Sequence, residues 1–457
     1  MGAAALRAGR RLDGDRPRRR RGPAGADTGY RVESYDLDLD YRVSSNRLAG
    51  RATLRIVALQ PLRRFSLDLS RLRATRVRVA GRKARSDQAA HKLRITPAEP
   101  LEAGASVVVE IEYGGHPGPR ASHWGELGWE ELTDGVLVAS QPSGASTWYP
   151  CNDDVADKAT YRIRVSAEEG YSVLANGVLL ETSERSGRRT WLYEQREPTA
   201  SYLASVQIGR YVLEDRLLSG VAVTLARPAA LAARVARDFA PLSAMLAFFS
   251  RVFGPYPFRQ YTVVVTADEL EIPLEAQGMA VFGANHVDGR GGSERLIAHE
   301  LAHQWFGNSV GLARWRHIWL NEGFACYAEW LWSEESGGLS TDAQARRHHA
   351  LLRFQRQDLV LGDPGPVDLF DDRVYKRGAL TLHALRLRLG DEAFFQLLRT
   401  WTARHASATA SEVDFRALCA EVAGGSAIAG GTAASAVESL LDAWLVDVRL
   451  PPLPPAR

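Results

Sequence analysis

The chain has 457 residues, of which 45% are hydrophobic and 24% are charged. This composition is typical of a soluble globular protein and argues against a fibrous or largely disordered one. The length exceeds what one hydrophobic core usually supports, so we predict two or three domains. The sequence contains no apolar run of about 18 residues or more, and we therefore expect no membrane-spanning helix.

The positive charge is concentrated at the beginning of the chain. Residues 1–28 contain eight Arg and three Asp, a local charge of +5, and since the whole chain carries +3, the remainder carries −2. We predict that residues 1–28 form a disordered arm without the apolar segment of a secretory signal. A basic arm can bind nucleic acid, but no basic run with interleaved aromatic residues follows it, so we expect no nucleic-acid partner.

The three cysteines lie far apart in the sequence. Cys151, Cys326 and Cys419 form no CxxC pair, so the sequence predicts neither a disulfide framework nor a zinc knuckle. Few and scattered cysteines are usual in a reducing compartment. We therefore expect a cytoplasmic protein with no membrane partner.

The first half of the chain shows the alternation expected of β-strands. Segments such as YDLDLDYRV, RATLRIVAL and VVVEIEYGG alternate apolar and polar residues, and turn-forming residues separate them. This pattern predicts an antiparallel β domain over residues 29–212.

The periodicity changes near residue 226. The segment RPAALAARVARDFAPLSAMLAFFSRVFG has apolar residues at helical spacing and ends at Gly254. A short strand is predicted at 261–268, and nearly every segment from Ser293 onward has a helical pattern.

This second half is therefore predicted to be a mainly helical domain over residues 213–450, with a loop at 307–318. A Pro-rich tail at 451–457 follows, because LPPLPPAR cannot continue a helix. The two halves together predict an α+β fold with more than one domain.

The segment SERLIAHELAHQWFG carries the strongest chemical signal. Ser293 predicts the start of a helix and Gly307 its end. His299 and His303 would then lie on one helical face, about 6 Å apart along the axis, from where both imidazoles can reach one Zn²⁺. Glu300 is rotated by about 100° and could reach a water molecule beside the metal without binding the metal.

A catalytic zinc ion usually has three protein ligands, so a third must come from elsewhere. Glu322, in IWLNEGFACYAEWLW, follows a loop long enough to bring a second helix antiparallel to the first. The competing interpretation is a buried helix whose two histidines are structural. We expect Cys326 to be a small buried residue rather than a ligand, and His317, His348 and His349 to be loop or surface histidines.

HELAHQWFGN, followed after eighteen residues by the glutamate of WLNEGFA, resembles the motif of the aminopeptidase N family. These gluzincin zinc aminopeptidases also include leukotriene hydrolase. The resemblance extends from about Tyr30 to Pro451, and YPCNDDVADKATYRI, SYLASVQIGRY and FGPYPFRQY have counterparts in the family. It implies a saddle-like N-terminal β domain and a thermolysin-like zinc catalytic domain, without the large C-terminal helical domain of many members.

The resemblance also implies a role for each site residue. His299, His303 and Glu322 would bind one Zn²⁺ per chain, and Glu300 would be the general base. Tyr375, in VYKRGALTLHALR, matches a tyrosine that donates a hydrogen bond to the oxyanion of the tetrahedral intermediate; otherwise it is a helix-surface aromatic residue. The implied activity is hydrolysis of the first peptide bond of peptides with a free N-terminus.

One motif departs from the family pattern. The family binds the substrate amine with the glutamate of a GAMEN loop, and this chain has IPLEAQGMAVF at that place. Glu275 takes the position of the glutamate, whereas Ile272 and Ala276 replace the glycine and the asparagine. We predict that Glu275 binds the α-ammonium group; the alternative is a solvated loop carboxylate, and Glu269 and Glu271 are close enough to be confused with it.

Two further residues are candidates for the site. Gln141, in ASQPSGAS, matches a family glutamine that lines the first substrate pocket, although it could be a surface glutamine. Glu329, seven residues after Glu322, could hold a ligand histidine or form an ion pair on the helix surface.

Two other functions fit the same sequence. A zinc epoxide or ester hydrolase would use the same metal site, as one branch of the family does. A non-catalytic scaffold is the second alternative, but such relatives usually lose ligands, and the ligands, the base and the tyrosine are all present here. The sequence predicts neither the oligomeric state nor the preferred N-terminal residue.

Overall fold

The computed structural model describes residues 27–424 and 430–455. In these ranges a β-rich N-terminal domain precedes a mainly helical domain, which confirms the predicted fold class. Most of the predicted arm, residues 1–26, lies outside the described residues, as do residues 456–457 of the predicted tail. The carboxylate of Asp27 accepts a hydrogen bond from the backbone N–H of Ser66 at 2.8 Å, so the described chain begins in contact with the β domain.

The largest sheet is built from the predicted alternating segments. In Tyr30–Arg42, Leu37 and Leu39 are buried whereas Asp38 between them is exposed, as expected when alternate side chains point to opposite faces. This strand lies within an eight-stranded sheet whose strands, in spatial order, are Val178–Arg185, Arg188–Ala200, Lys158–Glu168, Tyr30–Arg42, Arg47–Ala58, Ser106–Gly115, Arg73–Val79 and Arg82–Lys83.

The β domain is not entirely antiparallel, contrary to the prediction. Tyr30–Arg42 pairs in parallel with Lys158–Glu168, and Ser34 lies opposite Thr160. Two neighbouring parallel strands need a long connection between them. The connection between these two strands contributes strands to two smaller sheets. Their strands are Phe65–Asp68, Lys92–Thr96 and Arg85–Ala89 in one, and Ser172–Ala175, Val206–Gly209, Gly135–Ala139, Gly125–Leu132 and Arg120–Ser122 in the other.

The second domain begins with a mixed five-stranded sheet. Its strands, in spatial order, are Val212–Leu218, Val221–Arg227, Gln260–Val265, Met279–Phe282 and Leu274–Ala276. Glu275, predicted to lie in a loop, is therefore on the edge strand of this sheet, which runs antiparallel to Met279–Phe282. Gly311–Leu312, which lies within the predicted loop at 307–318, pairs with Thr409–Ala410 in a two-stranded sheet.

The helical segment predicted from residue 226 is divided into two α-helices. The first ends at Asp238 and the second begins at Leu242, because Pro241 lacks the N–H that a continuous helix would need. The helices of the described ranges are α1 Ala232–Asp238, α2 Leu242–Phe253, α3 Glu294–Ala302, α4 Trp319–Glu335, α5 Thr341–Leu352, α6 Asp372–Leu389, α7 Asp391–Arg404, α8 Glu412–Gly424 and α9 Gly430–Leu445.

The two domains meet beside the end of α3. The ammonium of Lys158, in the β domain, donates hydrogen bonds to the backbone carbonyls of Asn308 and Ser309, each at 2.8 Å. Asn176 Nδ2 donates to the carbonyl of Gln277 at 2.9 Å. The β domain therefore contacts both the loop after α3 and the turn after the edge strand. No helix of the described residues is long and apolar enough to cross a lipid bilayer.

Candidate metal centre and active site

Helix α3 and the residue that directly follows it carry the two histidines of the motif. Ser293 precedes its first residue, but the Ser293 side chain makes no capping hydrogen bond, because its φ of −105° and ψ of 13° are not the extended conformation of an N-cap. The helix ends at Ala302, so the predicted end at Gly307 is wrong. His303 keeps helical dihedral angles, φ −55° and ψ −24°, and so remains on the same face as His299.

Helix α4 lies antiparallel to α3. Arg295, near the start of α3, bonds to Glu329 in the second half of α4 at 2.8 Å. His303, just past the end of α3, faces Glu322 near the start of α4. Because early residues of one helix contact late residues of the other, the loop between them returns the chain as the sequence predicts.

His299, His303 and Glu322 converge on one point. Glu322 Oε2 lies 3.6 Å from His299 Nε2 and 3.4 Å from His303 Nε2, and all three side chains are buried. Ligand atoms bound tetrahedrally at about 2.0–2.1 Å from Zn²⁺ would lie about 3.3–3.4 Å from one another. The observed spacing therefore fits a single zinc ion held by the three side chains.

The other nitrogen of each imidazole is already engaged. His299 Nδ1 donates to Glu329 Oε1 at 2.7 Å, and His303 Nδ1 donates to the carbonyl of Phe306 at 3.1 Å. These bonds place the proton on Nδ1 and leave the Nε2 lone pair for a metal. Glu329 is buried, and its second oxygen accepts a hydrogen bond from Arg295, so its carboxylate contacts His299 and also forms an ion pair, but that ion pair is not the surface pair considered from the sequence.

Glu300 is adjacent to the centre but outside the group of three. Its carboxylate is buried, and Oε2 has no hydrogen-bond partner among the described residues. A buried carboxylate oxygen without a partner is costly unless a donor such as water or a ligand reaches it. Burial raises the pKa of Glu300 above its usual value, so its carboxylate takes up a proton more readily than an exposed one does.

Tyr375 reaches the centre from α6. Helices α4 and α6 approach closely at two glycines: a Cβ on Gly323 would come within 2.8 Å of the Gly378 Cα. This crossing brings the Tyr375 ring against that of His299, with centroids 6.0 Å apart. Burial and the neighbouring Glu322 carboxylate raise the pKa of Tyr375 well above its ordinary value, so the phenol stays protonated and can donate a hydrogen bond.

Glu275 faces the centre from the edge strand. Carboxylate oxygens of Glu275 and Glu300 and a nitrogen of His303 all lie within 4.8 Å of one another. Gln141 Nε2, from the β domain, donates to Glu275 Oε1 at 2.6 Å. The structure therefore brings both residues together beside the metal centre, whereas Glu269 is exposed.

The electrostatics of the centre suit a divalent cation. Burial raises the pKa of Glu275 to about 7, against the opposing effect of His303. Burial alone would also raise the pKa of Glu322, but the two histidines outweigh it and lower that pKa to about 2. Glu322 is therefore ionised at neutral pH, and a buried anion of this kind is stabilised by a bound metal ion.

Three predictions about residues outside the motif have different outcomes. Cys326 is buried and lies 3.4 Å from the ammonium of Lys376, in agreement with its interpretation as a small buried residue. His317 lies in a short 3-10 turn within the segment that connects α3 and α4, as predicted, but it is buried and is not a surface histidine. His348 and His349 lie in α5 rather than in a loop, and both are half-buried. The His348 ring stacks on Trp330 at a centroid distance of 5.1 Å.

The sequence reasoning missed Arg295. This residue lies one helical turn before His299, and its guanidinium bonds to the Glu329 carboxylate that holds the histidine. The i, i+4 spacing of Arg295 and His299 was a usable signal, because residues four apart share a helical face.

We expect Glu329→Gln to weaken zinc binding without removing a ligand. The amide cannot accept the His299 Nδ1–H and the Arg295 guanidinium with the strength of a carboxylate, so the imidazole is less firmly oriented. Losses of about 10–100-fold in metal affinity are typical of such partners. Competition with a fluorescent zinc chelator measures this affinity, and Glu335→Gln, at the end of α4, is a matched control that should bind zinc as the unaltered chain does.

Two histidines and one glutamate from two neighbouring helices surround one point, and a second glutamate lies beside them. This arrangement defines the class of HExxH zinc metallopeptidases. Residues 31–203 match the peptidase M1 N-terminal domain, and residues 239–444 match the peptidase family M1 domain. The chain belongs to peptidase family M1. The resemblance to aminopeptidase N and leukotriene hydrolase is thereby confirmed, and so is the predicted zinc cofactor.

Solved structures agree over nearly the whole chain. The M1 zinc metallopeptidase of Deinococcus radiodurans is 31% identical, with a TM-score of 0.85 over 95% of this chain and 98% of that one. A glutamate-to-alanine variant of that protein has been solved with a Tyr-Ser-Ala substrate. A two-domain M1 zinc metallopeptidase variant bound to L-arginine is 30% identical, with a TM-score of 0.83.

Longer relatives share the same two domains in part. Aminopeptidase M1 of Arabidopsis thaliana is 25% identical over 299 residues, which are 61% of this chain and 34% of that protein. Leukotriene A-4 hydrolase of Xenopus laevis is 28% identical over 316 residues, which are 66% of this chain and 51% of that protein. The matched region thus spans between a third and a half of these relatives.

Proposed function

We propose that this chain is a zinc-dependent aminopeptidase that removes the N-terminal residue from peptides with a free α-amine. His299, His303 and Glu322 hold the zinc ion. The observation that supports the aminopeptidase assignment most strongly is the position of Glu275. Its carboxylate lies within 4.8 Å of a Glu300 carboxylate oxygen and accepts a hydrogen bond from Gln141 of the other domain. A carboxylate beside a hydrolytic centre can pair with an ammonium group, and the positive charge of that group favours the ionised form of Glu275.

In the proposed mechanism the chain's own side chains bind and orient the substrate and transfer protons. The zinc ion supplies Lewis-acid chemistry, which polarises a carbonyl group and acidifies water. Glu275 accepts hydrogen bonds from the substrate ammonium and fixes the first peptide bond near Glu300. Glu300 accepts a proton from the attacking water and returns it to the leaving amine. Tyr375 donates a hydrogen bond to the oxyanion that develops on the scissile carbonyl.

We expect Tyr375→Phe to reduce kcat by about 10²–10³-fold, because one oxyanion donor is removed while the ring is retained. KM should change little, since the phenol contributes mainly to the transition state. Steady-state kinetics on an aminoacyl amide provide both constants. A variant with normal kcat would show that Tyr375 has only a packing role against His299.

The proposed function is tested with a panel of aminoacyl-fluorophore amides carrying Ala, Leu, Arg, Met, Asp or Pro. Cleavage should require zinc, stop on addition of a chelator, and be lost for the N-acetylated form of each substrate, because acetylation removes the positive charge that Glu275 binds. The ranking of the six amides measures the preference for the N-terminal residue.

Other results would point to a different activity. Equal cleavage of free and acetylated substrates would contradict an aminopeptidase and indicate another kind of hydrolase. Zinc-bound protein that cleaves none of the amides should be assayed on epoxide and ester substrates, since one relative is named leukotriene A-4 hydrolase. A cytoplasmic location and the use of peptide substrates by this chain stay predictions.

A further inference from the structure

The strand that carries Glu275 has little support from its own sheet. Leu274–Ala276 has three residues and pairs with Met279–Phe282 on one side. It is the last strand in the sheet order, so no described strand of that sheet lies on its other side. Such an edge leaves backbone groups without ladder partners, and the position of Glu275 must depend on contacts from elsewhere.

The β domain supplies some of these contacts through Gln141 and Asn176, and two buried side-chain amides supply the others from the end of α3. Asn308 Nδ2 donates to the carbonyl of Ala276 at 2.9 Å, and Gln304 Nε2 donates to the same carbonyl at 3.3 Å. Gln304 Oε1 accepts a hydrogen bond from the backbone N–H of Gly278 at 2.8 Å. Both amides are completely buried. Gln304 therefore bonds to the last residue of the strand and to the turn that follows it.

The same two residues are fixed to the end of the helix that carries the metal centre. Gln304 follows His303 directly, and Gln304 Nε2 lies 3.3 Å from the carbonyl oxygen of Glu300. The backbone N–H of Asn308 donates to the carbonyl of His303 at 3.0 Å. Loss of either amide side chain would remove a connection between the edge strand and this helix, while Glu275, Glu300 and His303 would all remain.

We infer that Gln304 and Asn308 are positioning residues that hold Glu275 at a fixed distance from Glu300 and His303. Through them, the bound α-ammonium and the peptide bond to be cleaved keep a constant separation. This inference rests on the proposed function, because it takes Glu275 to be the group that binds the amine.

The test compares two zinc-binding ligands that differ only in the amine. Leucine hydroxamate and 4-methylpentanoic hydroxamate carry the same zinc-binding group, so the ratio of their Kd values isolates the contribution of the amine. We expect the zinc-loaded chain to prefer the amine-bearing ligand by about 10-fold or more, as charged hydrogen bonds allow. Calorimetry with the zinc-loaded protein measures both Kd values without any turnover.

In Gln304→Ala and Asn308→Ala this preference should fall by at least about threefold, which corresponds to part of one charged hydrogen bond. The Kd of the ligand without the amine should stay close to that of the unaltered chain. Gln207→Ala is the matched control, since Gln207 is also completely buried but lies in the β domain, where it bonds to Ser205. Asn308→Ala is sufficient for the test if Gln304→Ala fails to fold.

A second measurement asks whether the effect passes through Glu275. In a Glu275→Gln background, adding Asn308→Ala should cause no further loss of preference, because the positioned group is already altered. Preference that is unchanged in both single variants, or equal weakening of both ligands, would overturn the inference. An unaltered chain that binds the two hydroxamates equally would instead remove the amine assignment itself, and with it the proposed function.

Discussion

Replacing Glu300 by glutamine is expected to reduce kcat by about 10²–10⁴-fold, the usual contribution of a general acid–base group. The amide has nearly the same shape as the carboxylate but cannot take a proton from water. One zinc ion per chain should still be bound, because the facing atoms of His299, His303 and Glu322 converge without any contribution from Glu300. Metal analysis and steady-state kinetics on the same preparation separate the two properties.

Glu294→Gln is the matched control for this variant. Glu294 lies on the same helix, and Glu294 Oε1 accepts a hydrogen bond from Trp332 Nε1 at 2.7 Å, outside the metal centre. The control should keep both zinc and turnover. If Glu300→Gln kept the kcat of the unaltered chain, the base would have to be another group, and Glu275 would be the next residue to test because it lies within the same 4.8 Å group.

Local periodicity was sufficient to predict the part of the centre that lies on one helix. The i, i+4 spacing of His299 and His303 places both rings on one face, whatever the surrounding fold. The limits of α3 were harder to predict. Gly307 does have a positive φ of 112°, but the α-helix had already ended at Ala302, and a bond from Gln304 N to Leu301 O tightens the next turn.

Contacts between distant parts of the chain could not be derived from the pattern alone. Gln141 and Glu275 are 134 positions apart and lie in different domains, so only the resemblance to a known family connected them. The parallel pairing of Tyr30–Arg42 with Lys158–Glu168 is a similar case. Alternation identifies a strand and its buried face, but it contains no information on which strand lies beside it.

The segment that departs from the family's amine-binding motif is held by contacts that the sequence alone did not predict. IPLEA was predicted to be a loop, yet Leu274–Ala276 forms a strand whose last carbonyl is held by buried amides of Gln304 and Asn308. The supporting residues lie in HQWFGN, just after the metal motif. Their effect on Glu275 therefore depends on tertiary structure that joins two segments about 30 residues apart.

Replacing Glu322 by glutamine is expected to remove zinc binding at ordinary metal concentrations and, as a result, activity. The unaltered side chain is a carboxylate, and a carboxylate presents a negative charge and a strong oxygen ligand to the metal. A neutral amide oxygen is a poorer zinc ligand than a carboxylate, so His299 and His303 would be the only strong ligands that remain in the group of three. The loss of zinc affinity should therefore exceed the about 10–100-fold expected for Glu329→Gln, whose side chain contacts only a ligand.

Cys326→Ala tests the competing assignment of the third ligand. Cys326 is on the same helix, one turn after Glu322, and a thiolate would otherwise be an attractive zinc ligand. Burial raises the pKa of Cys326 to about 12, and its sulfur faces Lys376, so the alanine variant should keep both zinc and activity. Zinc retained in Glu322→Gln but lost in Cys326→Ala would mean that the thiol, and not the carboxylate, completes the centre.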